Sequence, residues 1–321
     1  MVRAWALIAA FAAALLGSAA EAAYPERVVT VVVPFPPGGL TDVLARVTAE
    51  RLAKTLDRPF IIENRPGAAG LLAADHVKKA APDGYTLLFT PIFQLTIAPY
   101  LNAGLGINPE KDFRPIGASG TTPMVITVGG SIPADTLADF IAYARARLGK
   151  LTYASAGAGS LSHFASALVL RQAGLDVVHV PYKGLAQAFS DVLAGHVAMI
   201  TASPVEIMPH LQTKKVRALA VTGATRSQFL PDVPTVADTL KGIAPVVTHN
   251  GLLAPAGTPQ TVVDTISKAL LAAAEDSDFR ERVTKTGLEP IRNTPEEFAR
   301  MISDGTRNWA DVVKDLKLTQ N

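Results

Sequence analysis

Residues 28–33, Val28-Val29-Thr30-Val31-Val32-Val33, are apolar or β-branched at every position. A strand with one wet face alternates polar and apolar residues. A strand without alternation is buried on both faces, as in a parallel sheet covered by helices on each side. The run stops at Pro34-Phe35-Pro36-Pro37-Gly38-Gly39, after which Leu40, Val43, Leu44, Val47, Leu52 and Leu56 recur at roughly helical spacing. Strand, glycine loop and helix form one unit, which points to right-handed βαβ crossovers and an α/β fold.

The unit repeats. The pattern predicts strands at 60–63 and 85–89 around a glycine-bearing loop at 64–70 and a helix at 71–80. Alternation restarts with strands at 124–128, 151–154, 177–180, 198–201 and 217–222, and helices at 135–147, 161–172 and 186–194. The restart reads as a second α/β unit inserted into the first. A return strand at 251–254 and helices at 261–275 and 295–316 complete the chain. The expected division is 23–122 plus 247–321 for one domain and 123–246 for the other. Two lobes joined by two crossings enclose a cleft, and ligand sites in such sheets lie beyond the carboxyl ends of the strands.

The first 22 residues are read as a signal peptide rather than as part of the fold. Arg3 is a positive n-region, 4–16 is apolar, and Ala20-Glu21-Ala22 fits a small-x-small cleavage site. The expected location is therefore the periplasm. Of the 321 residues 49% are hydrophobic and 18% charged, enough apolar material for a large core. The net charge is +2, and removing 1–22 takes away one basic and one acidic residue. Such a balance offers no electrostatic footprint for nucleic acid or a membrane surface. With no cysteine, disulfides, thiolate nucleophiles and thiolate metal sites are excluded. The six histidines form neither H-x-x-x-H nor H-E-x-x-H, so no metal or cofactor is expected.

Two glycine loops carry the functional signal. One is Pro37-Gly38-Gly39-Leu40-Thr41-Asp42; the other is Ser155-Ala156-Gly157-Ala158-Gly159-Ser160. Each follows a strand and opens a helix, where unpaired N–H groups and a partial positive charge favour an anion. Thr41 or Asp42 can cap the first helix and Ser160 the second. Each loop alone is equally compatible with a plain capped turn; the pair, one per lobe, raises the binding reading. Neither G-x-G-x-x-G nor a Gly-Lys-Ser/Thr phosphate loop is present. Ser160 and His163 invite a hydrolase reading, but no G-x-S-x-G elbow exists. Lys183, at a strand end, can attract an anion or sit solvated in a turn. His249, beside Asn250, reads equally well as a boundary histidine. If charged on an anionic ligand, it would make affinity fall between roughly pH 6 and 8.

These motifs, taken in order, resemble the periplasmic solute-binding proteins of tripartite tricarboxylate transporters, the Bug family. The match includes VPFPPGG-TD (33–42), ENRPGAAG (63–70), AAPDGYTLL (80–88), LTYASAGAGS (151–160), VHVPYKG (178–184), VRALAVTG (216–223), LPDVPTVAD (230–238) and GLLAPAGTP (251–259). The resemblance implies a two-domain Venus-flytrap fold of the type II binding proteins. It also implies delivery of a carboxylate to membrane permease subunits, by a monomer without catalysis. It places ligand carboxylates on Pro37, Gly38, Gly39 and Asp42 and on the Ser155–Ser160 loop.

Departures from the family pattern bear on specificity. Thr201-Ala202-Ser203 replaces a common Phe-Asp-Asn, removing an acid; Thr248-His249-Asn250 replaces Ser-Trp-Phe; and Thr90-Pro91-Ile92-Phe93-Gln94 replaces a small-residue stretch. Losing an acid and gaining a histidine suits a dicarboxylate. Phe35 and Phe93 could flank an aromatic one such as terephthalate, beside aliphatic chains of four to six carbons. The expected ligand set is therefore Phe35, Pro37, Gly38, Gly39, Thr41, Asp42, Phe93, Gln94, Ser155, Ala156, Gly159, Ser160, His163, Lys183, Thr201, Ser203, His249 and Asn250. The alternative is a module that presents its closed form to a membrane signalling partner, since sensing uses the same closure.

Overall fold

The computed structural model describes residues 24–101 and 106–315; the expected signal peptide lies outside them. The strands are β1 (Val29–Val33), β2 (Phe60–Asn64), β3 (Thr86–Pro91), β4 (Phe113–Pro123), β5 (Val125–Gly129), β6 (Thr152–Ser155), β7 (Val178–Pro181), β8 (Met199–Ala202), β9 (Val216–Val221), β10 (Val247–Pro255) and β11 (Glu289–Pro290). The longer helices are α1 (Leu40–Leu56), α2 (Leu71–Lys78), α3 (Ile92–Leu101), α4 (Leu137–Arg145), α5 (Leu161–Gln172), α6 (Leu185–Ala194), α7 (Pro204–Gln212), α8 (Gln260–Glu275), α9 (Ser277–Lys285) and α10 (Pro295–Asp315).

They build two sheets. The first has the order β11-β4-β10-β3-β1-β2, the second β7-β6-β8-β5-β9. In the first, β1 runs parallel to β2 and β3, while β10 is antiparallel to both β3 and β4. The unbroken apolar run has a direct cause. Val29, Val31 and Val33 pack with Leu44, Leu52, Ile266 and Leu270 on one face. Val32 packs with Ala73, Val77, Phe298 and Ile302 on the other. The second sheet is likewise covered on both faces.

Strand β4 and helix α3 lie beyond the sequence pattern. β4, in a stretch to which the sequence pattern assigns no element, contains Gly117 and Gly120. A Cβ at Gly117 would stand 2.8 Å from a Leu270 methyl, and one at Gly120 2.9 Å from a Leu44 methyl. These glycines let helices lie against the strand; they are not turns. Helix α3, from the apolar Ile92–Leu101, follows β3 where the periodicity predicts no helix.

The pairing fixes where the lobes meet. β4 and β3 both oppose β10, so β4 ends at the same sheet edge as β1 and β3. In the second sheet Val125 pairs with Ala202, so β5 begins at the edge where β8 and its parallel neighbour β6 end. The chain crosses between lobes at Met124, and again before Val247. Both glycine loops therefore lie on the edges that flank the crossings. Thr222 ties the two crossings together. Its backbone N–H donates to the Met124 carbonyl (2.8 Å), its hydroxyl accepts from Met124 N (2.8 Å) and contacts the Val246 carbonyl, and Val246 N donates to the Thr222 carbonyl (2.9 Å). Beside them Phe93, Phe164 and Trp309 pack edge to face, with centroids 5.3–5.7 Å apart. They join α3 and α10 of one lobe to α5 of the other.

Candidate functional site

The first loop is held from beneath. Gly38 has φ +86° with open space where a Cβ would point, so its backbone conformation, not crowding, favours glycine. The helix is capped by Gly39 without a side-chain bond, and Val43 N makes the first intrahelical bond, to the Gly39 carbonyl. The amides of Leu40, Thr41 and Asp42 precede that bond and form the donor end. Asp42 is fully buried. One carboxylate oxygen accepts from Gly38 N (2.9 Å) and Arg46 Nε (2.9 Å). The other accepts from Arg46 Nη2 (3.0 Å) and Asn64 Nδ2 (2.8 Å). Burial raises its pKa, but the hydrogen bonds from Arg46, Asn64 and Gly38 outweigh that and hold it below the usual carboxylate range. Asp42 holds the loop from beneath, with its carboxylate buried in this structure.

Phe35, Pro36, Pro37, Gly39, Leu40, Thr41, Pro91 and Gln94 line a cavity of about 470 Å³. Five expected ligand residues (Phe35, Pro37, Gly39, Thr41 and Gln94) meet there, and no lining residue carries a charge. Thr41 Oγ1 lies 3.4 Å from Asn250 Oδ1, linking the loop to β10. Gln94 Oε1 is enclosed without a hydrogen-bond partner.

The second loop is closed on itself. Ser160 caps α5, accepting from His163 N (3.3 Å) and donating to the Gly157 carbonyl (2.7 Å). Ala156 N donates to Ser162 Oγ (2.9 Å), Gly157 N to Ser155 Oγ (3.1 Å) and Gly159 N to His163 Nδ1 (3.1 Å). Nδ1 is therefore an acceptor and the His163 ring is neutral. His163 stacks on His179 with centroids 3.7 Å apart and 7° between planes, and His179 stacks on Tyr153. His179 Nε2 lies 2.7 Å from Ser155 Oγ. Burial, then the neighbouring His179, pulls His163 down to about 4; burial also lowers His179. A ligand taking these amides displaces bonds that the loop makes to itself. Because Ser160 Oγ meets the His163 backbone and His163 Nδ1 is taken by Gly159, the Ser160/His163 pair is not arranged as nucleophile and base.

His179, Ser162 and Tyr153 were not singled out from the sequence. Tyr153 and His179 are register partners on parallel strands, a juxtaposition that only the pairing reveals. Several expected ligand residues are placed elsewhere. Lys183 is exposed on the turn after β7. Thr201 is fully buried and accepts from Ser166 Oγ (2.7 Å). Ser203 caps α7 and donates to Glu206 (2.6 Å). Phe93 is buried in the aromatic cluster between lobes. Strand alternation separates His249 from its neighbours: Asn250 meets Thr41, while His249 lines a different cavity beside α3 and α10. Burial pulls His249 down to about 4, so in this structure its ring is neutral between pH 6 and 8.

Two α/β lobes, two crossings and a cleft between them define a periplasmic binding protein of the Venus-flytrap class. The chain belongs to the tripartite tricarboxylate transporter receptor family, TctC, whose family model matches residues 44–318. It is 33% identical to the protein BugT of Bordetella pertussis over 300 residues, covering 91% of this chain and 90% of that one. Among solved structures, a TctC solute-binding protein from Polaromonas superposes with a TM-score of 0.83 at 29% identity, over 91% of this chain and 99% of that one. Rpa4515 of R. palustris, solved with adipate, gives 0.73 at 32% identity (91% and 97% covered). MatC of Rhodopseudomonas palustris, solved with malate, gives 0.70 at 35% identity (90% and 100% covered).

Proposed function

We propose that this protein captures a small dicarboxylate in the periplasm and delivers it, as a monomer, to the permease subunits of a tripartite transporter. The carrying observation is that both glycine loops lie on the sheet edges flanking the lobe crossings. Each can present a carboxylate with backbone donors while the rest of the solute spans the cleft. The uncharged lining of the first-loop cavity supports an acid over an amine. An ammonium group would have no counter-ion there, whereas a carboxylate is satisfied by neutral donors without the desolvation cost of a buried ion pair. Phe35 and the prolines form an apolar wall for the solute's middle, which suits terephthalate or an aliphatic chain of four to six carbons. The adipate and malate held by two relatives are acids of this class.

A thermal-shift panel tests this reading. Residues 23–321, refolded from denaturant to strip carried-over solute, are heated with mono-, di- and tricarboxylates, amino acids and sugars. A dicarboxylate at about 100 times its dissociation constant stabilises the fold by about 2.7 kcal/mol. A shift from amino acids or sugars with none from any dicarboxylate overturns it.

A further inference from the structure

A second cavity lies on the other side of β10 from the first loop. It measures about 210 Å³ and is framed by α3, α10 and the chain segment 245–249 that crosses between lobes. Its walls are chiefly apolar: Ile92, Phe93, Met301 and Trp309, with Thr96 and Gly305 where the two helices approach closely. Into this setting the chain brings the His249 ring, whose Nδ1 is shut off from solvent and has no hydrogen-bond partner, so an occupant pairs with it only when the ring turns toward the cavity. A buried polar atom left unpaired costs about 1–3 kcal/mol, so a partner there is favoured.

The charges around the cavity select the partner. No lysine or arginine lines it. Asp304, at the wall, is engaged by Arg307 and is more than half exposed. An anion would thus meet a carboxylate and no lining cation. Asn308 adds a neutral amide. A cavity of about 150 Å³ already suffices for a benzene ring.

We propose that this cavity is a second binding site, for a small uncharged molecule with one aromatic ring and a single O–H or N–H group, held by hydrogen bonding to the His249 ring. The site excludes carboxylates, so its occupant differs in chemistry from the cleft solute, and the proposal stands whatever the cleft takes.

Trp309 reports on it directly. The only other tryptophan is Trp5, so residues 23–321 contain a single indole, and it is in the cavity wall. Phenol, toluene and benzoate are titrated separately, with emission excited at the red edge of the tryptophan band. The expected result is a saturable change with phenol. Toluene, which leaves His249 unpaired, needs about tenfold more for half-saturation, and benzoate gives no saturable change. His249→Phe, checked for folding by circular dichroism, abolishes the phenol response. Equal half-saturation for phenol and toluene, saturation by benzoate, or an unchanged phenol curve in folded His249→Phe overturns the proposal. The three-probe comparison on the unmodified protein decides the matter even where the variant fails to fold.

Discussion

Replacing Asp42 by asparagine keeps the shape of the side chain and removes its charge. Four donors converge on the Asp42 carboxylate, two on each oxygen. The amide has one acceptor oxygen, so an NH₂ group now faces either Gly38 N and Arg46 Nε or Arg46 Nη2 and Asn64 Nδ2. Two hydrogen bonds are lost, at least one of them charge-assisted. Such bonds contribute about 1.5–3 kcal/mol each, but half-exposed Arg46 recovers part of its share in water. The expected net loss is about 2–4 kcal/mol. Each kcal/mol moves the melting temperature by about 2–4 °C in a domain of this order of size, so the variant should melt roughly 4–16 °C lower near neutral pH. The sign of the pH dependence follows from the depressed carboxyl pKa. The stabilisation is fully present above the unfolded value, about 3.9, and is lost as pH falls through the lower folded value. The gap between wild type and Asp42→Asn should therefore stay constant from neutral pH to about pH 5 and shrink in stronger acid. A neutral-pH gap under about 1 °C, or one that widens in acid, would refute the reasoning.

Three further outcomes are expected. Thr222→Val, nearly isosteric, removes the hydroxyl tying both crossings and should cost about 1–3 kcal/mol in urea melts; unchanged stability would mean that the crossings do not need the clamp. Gly38→Ala forces a Cβ into a left-handed conformation with no steric clash, costing about 1–2 kcal/mol and weakening dicarboxylate binding; unaltered melting and affinity would show that the loop tolerates another backbone geometry. His163, drawn down to about 4 by burial and by His179, favours the neutral fold. Its stabilisation is full above the unfolded value near 6.5 and lost as pH falls toward 4, about 3 kcal/mol at 1.36 kcal/mol per unit. His163→Gln should flatten that part of the stability profile, and an unchanged slope contradicts it.

The sequence announced the parts of this fold that depend on local chemistry. The β-branched run at 28–33 reads as a doubly buried strand because Val29, Val31 and Val33 fill one core and Val32 the other, while Val28, at the run's start, is exposed and lies outside the strand. Ser160 read as a helix cap because capping is a contact within one turn. What depends on distant packing was hidden. β4 has no counterpart in the sequence pattern, because its Gly117 and Gly120 serve packing against Leu270 and Leu44, which lie far along the chain. Asp42 read as a ligand residue or cap, yet its partners include Asn64, supplied by the neighbouring strand. The His163–His179 stack joins a helix to a strand, and no spacing rule foreshadows it. His249 and Asn250 looked like one site, but adjacent strand residues face opposite ways.

The most direct test is calorimetric titration of refolded protein with adipate and, separately, hexanoate, which has the same chain length and lacks one carboxylate. If a loop from each lobe holds one carboxylate, hexanoate leaves one donor end unpaired and binds at least about tenfold more weakly, a difference of about 1.4 kcal/mol. Equal affinities, or heat from hexanoate alone, would contradict the two-ended grip on which this account rests.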